Sequence, residues 1–463
     1  MRPLIASLAL LPTIAHAGRA QPVTAITGAT LIDVSAHGAS THDVANAVVL
    51  IQGGRIIAAG PAATTKVPNG AQRIDRPGRF IIPGLVDGFA GLQSQAEANA
   101  MLYEGVTSVV VSQDDRRGHL FRQANPAPHT YLLDSAGSTD DWSLLRDMPA
   151  WHDRLADHGK SAELSPDDTS AQLKATAARG TRVIWLGWNI TPENARAIIA
   201  QSHAHHMVTY GEFIATPYAA GIADGVDALL HMSRYELGLV QSPVTVTLGS
   251  HVVAEPAGGM SEKAAYSAAE AVQAGDPRVT AYGDRLARAN VALIPTFSLF
   301  YLLLPGHRNL WHEPAATILD PGSMTLAPNP ATGEFDLPPQ ARARQEIRAR
   351  HLWALNTALQ AGHPIYLAAS GAATLGAMPG ISMHVELSLL VRLGLTPRQA
   401  LAAATSNYAD KFGWRELGEV ASGRRADLLI LSADPTQDIA STDRIEDVVL
   451  AGHELNRAAL LKK

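Results

Sequence analysis

The 463-residue sequence contains no cysteine. This absence excludes disulfide bonds, thiolate zinc sites and cysteine nucleophiles. The sequence also lacks runs of lysine or arginine, and its formal net charge is -6, so nucleic acid is not an expected partner. Beyond the N-terminus, no stretch is long and apolar enough to span a membrane. Hydrophobic residues make up 46% of the chain, which favours a globular protein with a large core over a disordered one.

The first residues, MRPLIASLALLPTIAHAG, have the three parts of a secretory signal peptide. Arg2 supplies the positive charge, residues 4–14 the apolar stretch, and AHA at 15–17 a small-residue cleavage site. The alternative, a membrane anchor, is disfavoured because the apolar run is too short to cross a bilayer. We therefore expect residues 1–17 to be removed and the mature chain, from about Gly18, to be exported to a bacterial periplasm or the cell exterior.

Both ends of the remaining chain are rich in short β-like runs. Residues 22–80 contain TAITGATLIDV and NAVVLIQGGRIIAAG, in which the paired glycines give a hairpin signal. Residues 413–463 contain GEVASGRRADLLILSADP and IEDVVLAGHEL, which have the same pattern. We therefore predict that both terminal segments combine into one small composite β-sandwich.

The middle of the chain, residues 81–412, alternates strand-like and helical stretches. The strand-like runs lie at 106–111, 181–187, 207–212, 226–232, 291–297 and 363–370. Alternating β and α segments indicate an α/β fold with a parallel sheet. Their number and the length of the region favour a closed (β/α)8 TIM barrel over an open sheet.

Residues 298–340 interrupt this alternation. The stretch SLFYLLLPGHRNLWHEP is apolar and aromatic, whereas LAPNPATGEFDLPP is rich in proline and glycine. A long connection after a barrel strand commonly forms a lid or a wall of a binding site. Either this insertion covers a pocket, or it is a surface excursion without a function.

Several motifs resemble a known family. They are MHVELSLLVRLGLTPRQALAAATSNYADKFG and LGEVASGRRADLLILSADP near the C-terminus, and GGRIIAAG, FIIPGLVD and EGVTSVVV in the N-terminal part. The sequence resembles the amidohydrolase superfamily, in its imidazolonepropionase-like branch, over nearly all of residues 23–463. The resemblance implies a metal-dependent TIM-barrel hydrolase with a composite β-sandwich.

The resemblance also implies where metal ligands belong, and most of those positions hold other residues. The family has an HxH pair after the PGLVD segment, a carboxylated lysine, two single histidines and a closing aspartate. These fall, in that order, on Phe89 and Gly91, Trp185, Tyr210 and His231, and Ser370. Because zinc needs about three protein ligands and His231 is the one retained donor, we expect the ancestral zinc to be lost and no cofactor to be bound. Ser370 cannot replace the aspartate as a base without an activating partner.

The replacing residues are large and aromatic. Phe89, Trp185 and Tyr210 are expected at inward-facing positions, and Trp188 lies just beyond them. These side chains would fill the volume that ions and water occupy in the active relatives. Either they are core filling after loss of function, or they line a pocket for an apolar or aromatic ligand.

Other polar residues are expected to have structural roles. His203, His205 and His206 close a helix before a strand, at the end of the barrel away from the chemistry, where histidines compensate the helix dipole. His384 and Glu386 in MHVEL are interpreted as helix-start residues near a pocket rim. Asp87 is expected to keep a structural role at a strand end, and Asp114, Asp115 and Asp134 to be solvated loop acids.

The sequence therefore predicts an exported amidohydrolase-fold protein without catalytic activity. Such a pseudoenzyme would bind a small apolar ligand in the inherited pocket, form a homo-oligomer or pair with an active relative. The alternative is a working hydrolase of amide or other C–N bonds, dipeptidase- or imidazolonepropionase-like, with an atypical site. Inheritance of the fold supports that alternative, although fold by itself does not determine function.

Overall fold

The computed structural model describes residues 21–112, 120–137, 163–240, 242–248, 251–324, 326–372 and 376–462. The predicted signal peptide, residues 1–17, and the predicted loop acids Asp114 and Asp115 lie outside this part of the chain. No helix of the described residues is both long enough and apolar enough to cross a membrane.

Short strands alternate with helices through the middle of the chain. The strands are β1 (Thr24–Thr27), β2 (Thr30–Leu31), β3 (Ala47–Gln52), β4 (Arg55–Pro61), β5 (Gln72–Asp75), β6 (Phe80–Pro83), β7 (Leu85–Ala90), β8 (Val106–Ser112), β9 (His129–Ser135), β10 (Val183–Leu186), β11 (Val208–Gly211), β12 (Ala228–Leu230), β13 (Val244–Leu248), β14 (His251–Ala254), β15 (Met260–Ser261), β16 (Ala292–Ile294), β17 (Ile365–Tyr366), β18 (Leu428–Leu431), β19 (Ile445–Leu450) and β20 (His453–Glu454).

The helices that the structure describes surround these strands. They are α1 (Ser35–Gly38), α2 (Gln95–Tyr103), α3 (Pro166–Ala178), α4 (Pro192–Ala204), α5 (Tyr218–Ala223), α6 (Met232–Tyr235), α7 (Glu262–Glu270), α8 (Pro277–Arg288), α9 (Pro339–Gln360), α10 (Ile381–Leu393), α11 (Pro397–Ala403), α12 (Ser406–Phe412) and α13 (Arg457–Leu460). Side chains of Ser94, Ser165, Ser261, Asp276 and Thr396 accept hydrogen bonds from the first turns of α2, α3, α7, α8 and α11. Such caps satisfy backbone donors that the helix itself leaves unpaired, and so fix where these helices begin.

An eight-stranded parallel sheet forms the core of the α/β fold. Its order is β17-β16-β12-β11-β10-β9-β8-β7, and strands such as β10 and β11 are buried along their whole length, as expected where helices cover a parallel sheet. Backbone hydrogen bonds also join β7 to the segment after β17, from Gly88 N to Ala368 O (3.2 Å) and from Gly371 N to Phe89 O (2.8 Å). The curled sheet therefore gives a TIM-barrel-like core.

The terminal segments form two further sheets. One has the order β4-β3-β1-β5, and the other, β2-β6-β18-β19-β20, contains strands from both ends of the chain. In the second sheet β6 is antiparallel to β18. Gly53 and Gly54, both with positive φ, form the turn between β3 and β4. Ile26 and Val49 of the first sheet share a buried cluster with Ile81 and Ile430 of the second.

The predicted insertion 298–340 is an irregular region between β16 and α9. It consists of short 3-10 turns at Phe297–Leu303, Leu310–His312, Pro314–Ile318 and Pro321–Ser323, followed by extended chain. A separate small sheet of β13, β14 and β15 follows β12. The insertion begins just after the carboxyl end of β16, and the small sheet follows the carboxyl end of β12 after α6. TIM barrels place their functional loops at this edge.

Candidate functional site

Asp87 and Ser370 link the first and last strands of the curled sheet. Asp87 is fully buried in β7, and its Oδ1 accepts a hydrogen bond from Ser370 N at 2.9 Å. The Ser370 hydroxyl donates to Asp87 Oδ2, and Phe89 N donates to Oδ1 at 3.3 Å. Burial raises the pKa of Asp87 to about 6, although these hydrogen bonds oppose the rise. Through its hydrogen bonds with Ser370, Asp87 joins β7 to the segment that follows β17. This is a structural role, as the sequence predicted for Asp87.

The retained histidine contacts one of the aromatic replacements. The rings of Phe89 and His231 meet edge to face, with their centroids 5.2 Å apart. His231 Nδ1 lies 2.7 Å from Thr296 Oγ1, and the Thr296 hydroxyl donates to Pro295 O at 2.7 Å. These contacts position the imidazole at the end of β12. A hydrocarbon ring therefore lies beside the imidazole.

Trp185 belongs to a chain of polar contacts at the ends of β10 and β11. Its Nε1 donates to Glu212 Oε2 at 3.0 Å, and Arg234 Nε donates to Glu212 Oε1 at 3.0 Å. Arg234 Nη1 also donates to the hydroxyl of Tyr266. Sequence reasoning missed Glu212 and Arg234. The available signal was that Glu212 follows Tyr210 by two positions, the spacing that places two side chains on one face of a strand.

Replacing Arg234 by methionine is expected to destabilise the protein by about 2 kcal/mol. The Glu212 side chain is 9% exposed, so it would keep a buried charge without its cation; the 36% exposure of Arg234 limits the loss. Chemical unfolding followed by fluorescence would measure the change. Arg196→Met is the matched control, since Arg196 pairs with Asp224 but is 70% exposed, and no measurable change is expected there. Equal effects in both variants would contradict the argument.

Tyr210 is part of the barrel interior. It is fully buried, its ring lies 5.8 Å from that of Phe412, and its hydroxyl has no hydrogen-bond partner among the described residues. Burial raises the pKa of this phenol well above its usual value. Tyr210, Trp185 and the partly buried Phe89 and Trp188 belong to one hydrophobic cluster, so the predicted aromatic replacements lie together.

Glu386 lies beside these strand ends. It is fully buried in α10, and its Oε2 accepts a hydrogen bond from Ser298 N at 2.7 Å, while Oε1 has no partner in the described part of the chain. The Ser298 hydroxyl donates to Ser370 O at 2.7 Å. Burial raises the pKa of Glu386 to about 8, and the nearby Asp87 contributes to the rise. Glu386 is thus connected to Ser370 through Ser298.

Some sequence interpretations need correction. Asp134 was expected in a solvated loop, but it lies in β9, is 3% exposed and accepts a hydrogen bond from Thr181 at 2.5 Å. His384 and Glu386 were interpreted as helix-start residues, but α10 has no side-chain cap. The ring of His384 instead contacts Thr442 Oγ1 at 3.0 Å and Glu104 O at 2.9 Å.

The histidine cluster near the end of α4 is held by a carboxylate. His203 Nε2 lies 2.8 Å from Asp227 Oδ2, and this hydrogen bond raises the pKa of His203. His205 and His206 follow the last residue of the helix, which is Ala204. The cluster lies before β11, at the end of the sheet away from Phe89 and Ser370.

The side chains at the predicted metal positions do not fit a zinc centre. Phe89, Trp185 and Ser370 supply no metal donor of the kind that the family uses, Gly91 has no side chain, and both oxygens of Asp87 accept hydrogen bonds from Ser370. Within the described ranges, no group of three or more His, Cys, Asp or Glu side chains could hold a metal ion. A zinc site needs about three such ligands.

Comparisons with known proteins show similarity to one family. A model described as the amidohydrolase family matches residues 330–455. The imidazolonepropionase of Deinococcus deserti is 43% identical over 81 residues, 17% of this chain and 20% of that protein, so this chain spans about one fifth of that relative's length. The imidazolonepropionase of Cereibacter sphaeroides is 24% identical over 417 residues, 86% of this chain and 91% of that protein.

Solved structures support the fold. The bottromycin amidohydrolase superposes with a TM-score of 0.62 at 17% identity, covering 95% of this chain and 88% of that chain. At this level of identity the likeness concerns the fold alone, and it agrees with the curled eight-stranded sheet.

Proposed function

Because the chain belongs to the amidohydrolase superfamily, in its imidazolonepropionase-like branch, we propose that it is a non-catalytic member that lacks the family's metal centre and binds a small ligand. The support is the set of side chains at the strand ends. Aromatic rings, a glycine and a serine occupy five of the six positions at which the resemblance implies metal ligands. The fold is inherited, but function depends on the site.

The contact between Phe89 and His231 is the observation that carries this proposal. A zinc ion would need a histidine nitrogen on β7 about 2 Å from the metal. The corresponding position on β7 holds Phe89, whose phenyl ring contacts the His231 ring with the centroids 5.2 Å apart. A phenyl ring in contact with this imidazole supplies no metal ligand, which supports a site without the metal and without the nucleophile that the metal would activate.

Metal binding tests the proposal. The purified protein is expected to contain much less than one zinc ion per chain, and titration with Zn²⁺ is expected to give the same weak heat for the parent and for His231→Ala. His453→Ala is the matched control, since His453 is exposed in the distant strand β20. Stoichiometric zinc that is lost in His231→Ala and kept in His453→Ala would overturn the proposal and favour the active hydrolase.

Export and the terminal domain remain proposals as well. We propose that residues 1–17 direct the chain out of the cytoplasm. The support is the positive charge of this segment, followed by its apolar stretch. We also propose that the two terminal sheets form the composite β-sandwich, supported by the cluster that Ile26, Val49, Ile81 and Ile430 share. The mass of the mature protein after expression in a bacterial host tests the first of these. A chain that retains Met1 in the periplasmic fraction would contradict cleavage.

A further inference from the structure

A cavity lies under the insertion, next to the barrel mouth. Its volume is about 400 Å³, within the range of small-molecule sites. The 3-10 turn Phe297–Leu303, the segment 326–337 and the helix α9 surround it. The apolar wall includes Leu299, Phe300, Leu303, Leu326, Phe335 and Leu337.

The cavity wall packs against the connection that follows the last barrel strand. A Cβ atom added at Gly371 would lie 2.7 Å from Leu299 Cδ2, and one added at Gly376 would lie 2.8 Å from Phe335 Cε1. Both glycines also have positive φ. Since Gly371 follows Ser370 directly, the cavity adjoins the strand end that resembles the family's closing aspartate.

The outer wall of the cavity is held by polar contacts within the insertion and from α9. Trp311 Nε1 donates to Pro328 O at 2.9 Å, and Asn309 Nδ2 donates to Pro330 O at 3.0 Å. Arg342 Nη2 donates to Phe335 O at 2.5 Å, and His307 Nε2 lies 2.8 Å from Glu334 Oε1. A wall fixed in this way loses little conformational freedom when a ligand enters, which favours binding.

Leu326 is the unusual residue of the wall. Its side chain is 61% exposed, and its φ of 54° lies in the left-handed region. The left-handed region of φ is unfavourable for a branched side chain such as leucine. Exposing this apolar side chain to water adds no favourable free energy that would offset the cost. Strained backbone conformations are concentrated at functional sites. Because the strain at Leu326 holds an apolar side chain at the cavity, it supports a binding role for the cavity.

The charges at the cavity indicate which ligand would be preferred. Its polar lining is Asp336, Gln345 and Arg348. Arg348 pairs with Glu236 and, at 2.5 Å, with Glu270, so its charge is already balanced. Asp336 is exposed, and no ion pair of Asp336 occurs within the described residues. The free charge at this rim is therefore negative.

We propose that the cavity binds a small hydrophobic amine. The apolar body of the ligand lies among Leu299, Leu326 and Phe335, and its ammonium group lies at Asp336. The inference rests on the proposed function, because it supplies a ligand for a protein whose role is binding. Zinc content and ligand binding are measured separately, so either proposal can fail alone.

Three probes with the same apolar body test the charge preference. They are 4-phenylbutylamine, 4-phenylbutanol and 5-phenylpentanoate, titrated calorimetrically into the intact chain. The amine is expected to bind saturably, about threefold to fivefold more tightly than the alcohol, as an exposed ion pair allows, and the carboxylate is expected to bind weakest. Asp336→Asn should bring the amine to the level of the alcohol. No saturable binding of the amine, or binding of the carboxylate as tight as that of the amine, would overturn the proposal.

Two wall variants test the location. Phe335→Ala is expected to weaken binding of the amine about tenfold through lost apolar contact. Leu326→Gly is expected to weaken it about fivefold while keeping or raising the unfolding midpoint, because glycine tolerates the positive φ. The control is Ile57→Ala, an exposed apolar residue on β4, which should leave binding unchanged. If Leu326→Gly and Phe335→Ala each bind the amine as tightly as the parent does, the ligand binds elsewhere and the proposed site is refuted.

Discussion

Ser370→Asp is expected to lower the free energy of unfolding by about 3 kcal/mol near pH 7. The substitution restores the residue type that the resemblance implies for the last strand. In this chain, however, the Asp87 carboxyl lies within hydrogen-bond distance of position 370 and uses the serine hydroxyl and amide as donors. An aspartate would replace the donating hydroxyl by a second buried carboxyl. Two carboxylates that share one site cannot both ionise without a large penalty.

The penalty of Ser370→Asp should depend on pH. Mutual repulsion and burial raise the folded pKa of the carboxyl pair above its unfolded value, so the folded variant binds more protons than the unfolded chain. Its stability therefore falls as pH rises, and the difference from the parent should shrink toward about pH 5. Urea unfolding at several pH values measures this.

Ser370→Asn is the matched control for Ser370→Asp. Asparagine has the same shape as aspartate, and its amide can donate to Asp87, so we expect a smaller and pH-independent loss. Equal losses in the two variants would mean that size rather than charge limits this position. Stabilisation of Ser370→Asp by added Zn²⁺, absent in Ser370→Asn, would show that the strand ends retain more of a metal site than their side chains indicate.

Local patterns predicted most of the fold. The runs at 106–111, 181–187 and 207–212 correspond to β8, β10 and β11, because buried parallel strands read as short apolar stretches. The strand β9 was missed, since HTYLLDS contains polar residues, among them Asp134. Asp134 can lie in a buried strand because Thr181 donates to it. That partner comes from 47 residues away, and no local pattern reveals it.

The candidate site was less predictable than the fold. Alignment to the family motif indicated which residues stand at the metal positions, but not what those residues contact. The hydrogen bond between Ser370 and Asp87 spans 283 residues and exists because the two edges of the sheet meet. Likewise, the pairing of Trp185 with Glu212 depends on the register between β10 and β11. Such contacts follow from tertiary geometry, whereas sequence periodicity indicates only which face is buried.

Glu386→Gln is expected to stabilise the protein at alkaline pH. The Glu386 carboxyl is fully buried, with a hydrogen bond to one oxygen from Ser298 and no partner for the other in the described residues. Burial raises its pKa to about 8, compared with about 4.3 for an exposed glutamate. Glutamine keeps an acceptor for Ser298 N and cannot ionise.

The sign of the effect follows from proton binding. Between about pH 4.5 and pH 8 the folded chain holds the Glu386 proton while the unfolded chain releases it, so the contribution of this group to stability is complete below the unfolded pKa and is lost as pH rises through the folded pKa. The loss amounts to at most about 1.4 kcal/mol per pH unit. Glu386→Gln removes this slope. We therefore expect near-equal stability at about pH 5 and an advantage of about 3 kcal/mol for the variant at about pH 9.

Urea unfolding of the parent and of Glu386→Gln across this pH range measures that advantage. Glu193→Gln is the matched control, because Glu193 is an exposed residue in the first turn of α4 and its replacement should leave the pH profile unchanged. A difference between Glu386→Gln and the parent that does not grow with pH would mean that Glu386 is ionised in the folded chain. The backbone amides of Ser298 and Phe297, which favour the ionised carboxylate, would then outweigh its burial, and the argument for a neutral Glu386 would have to be abandoned.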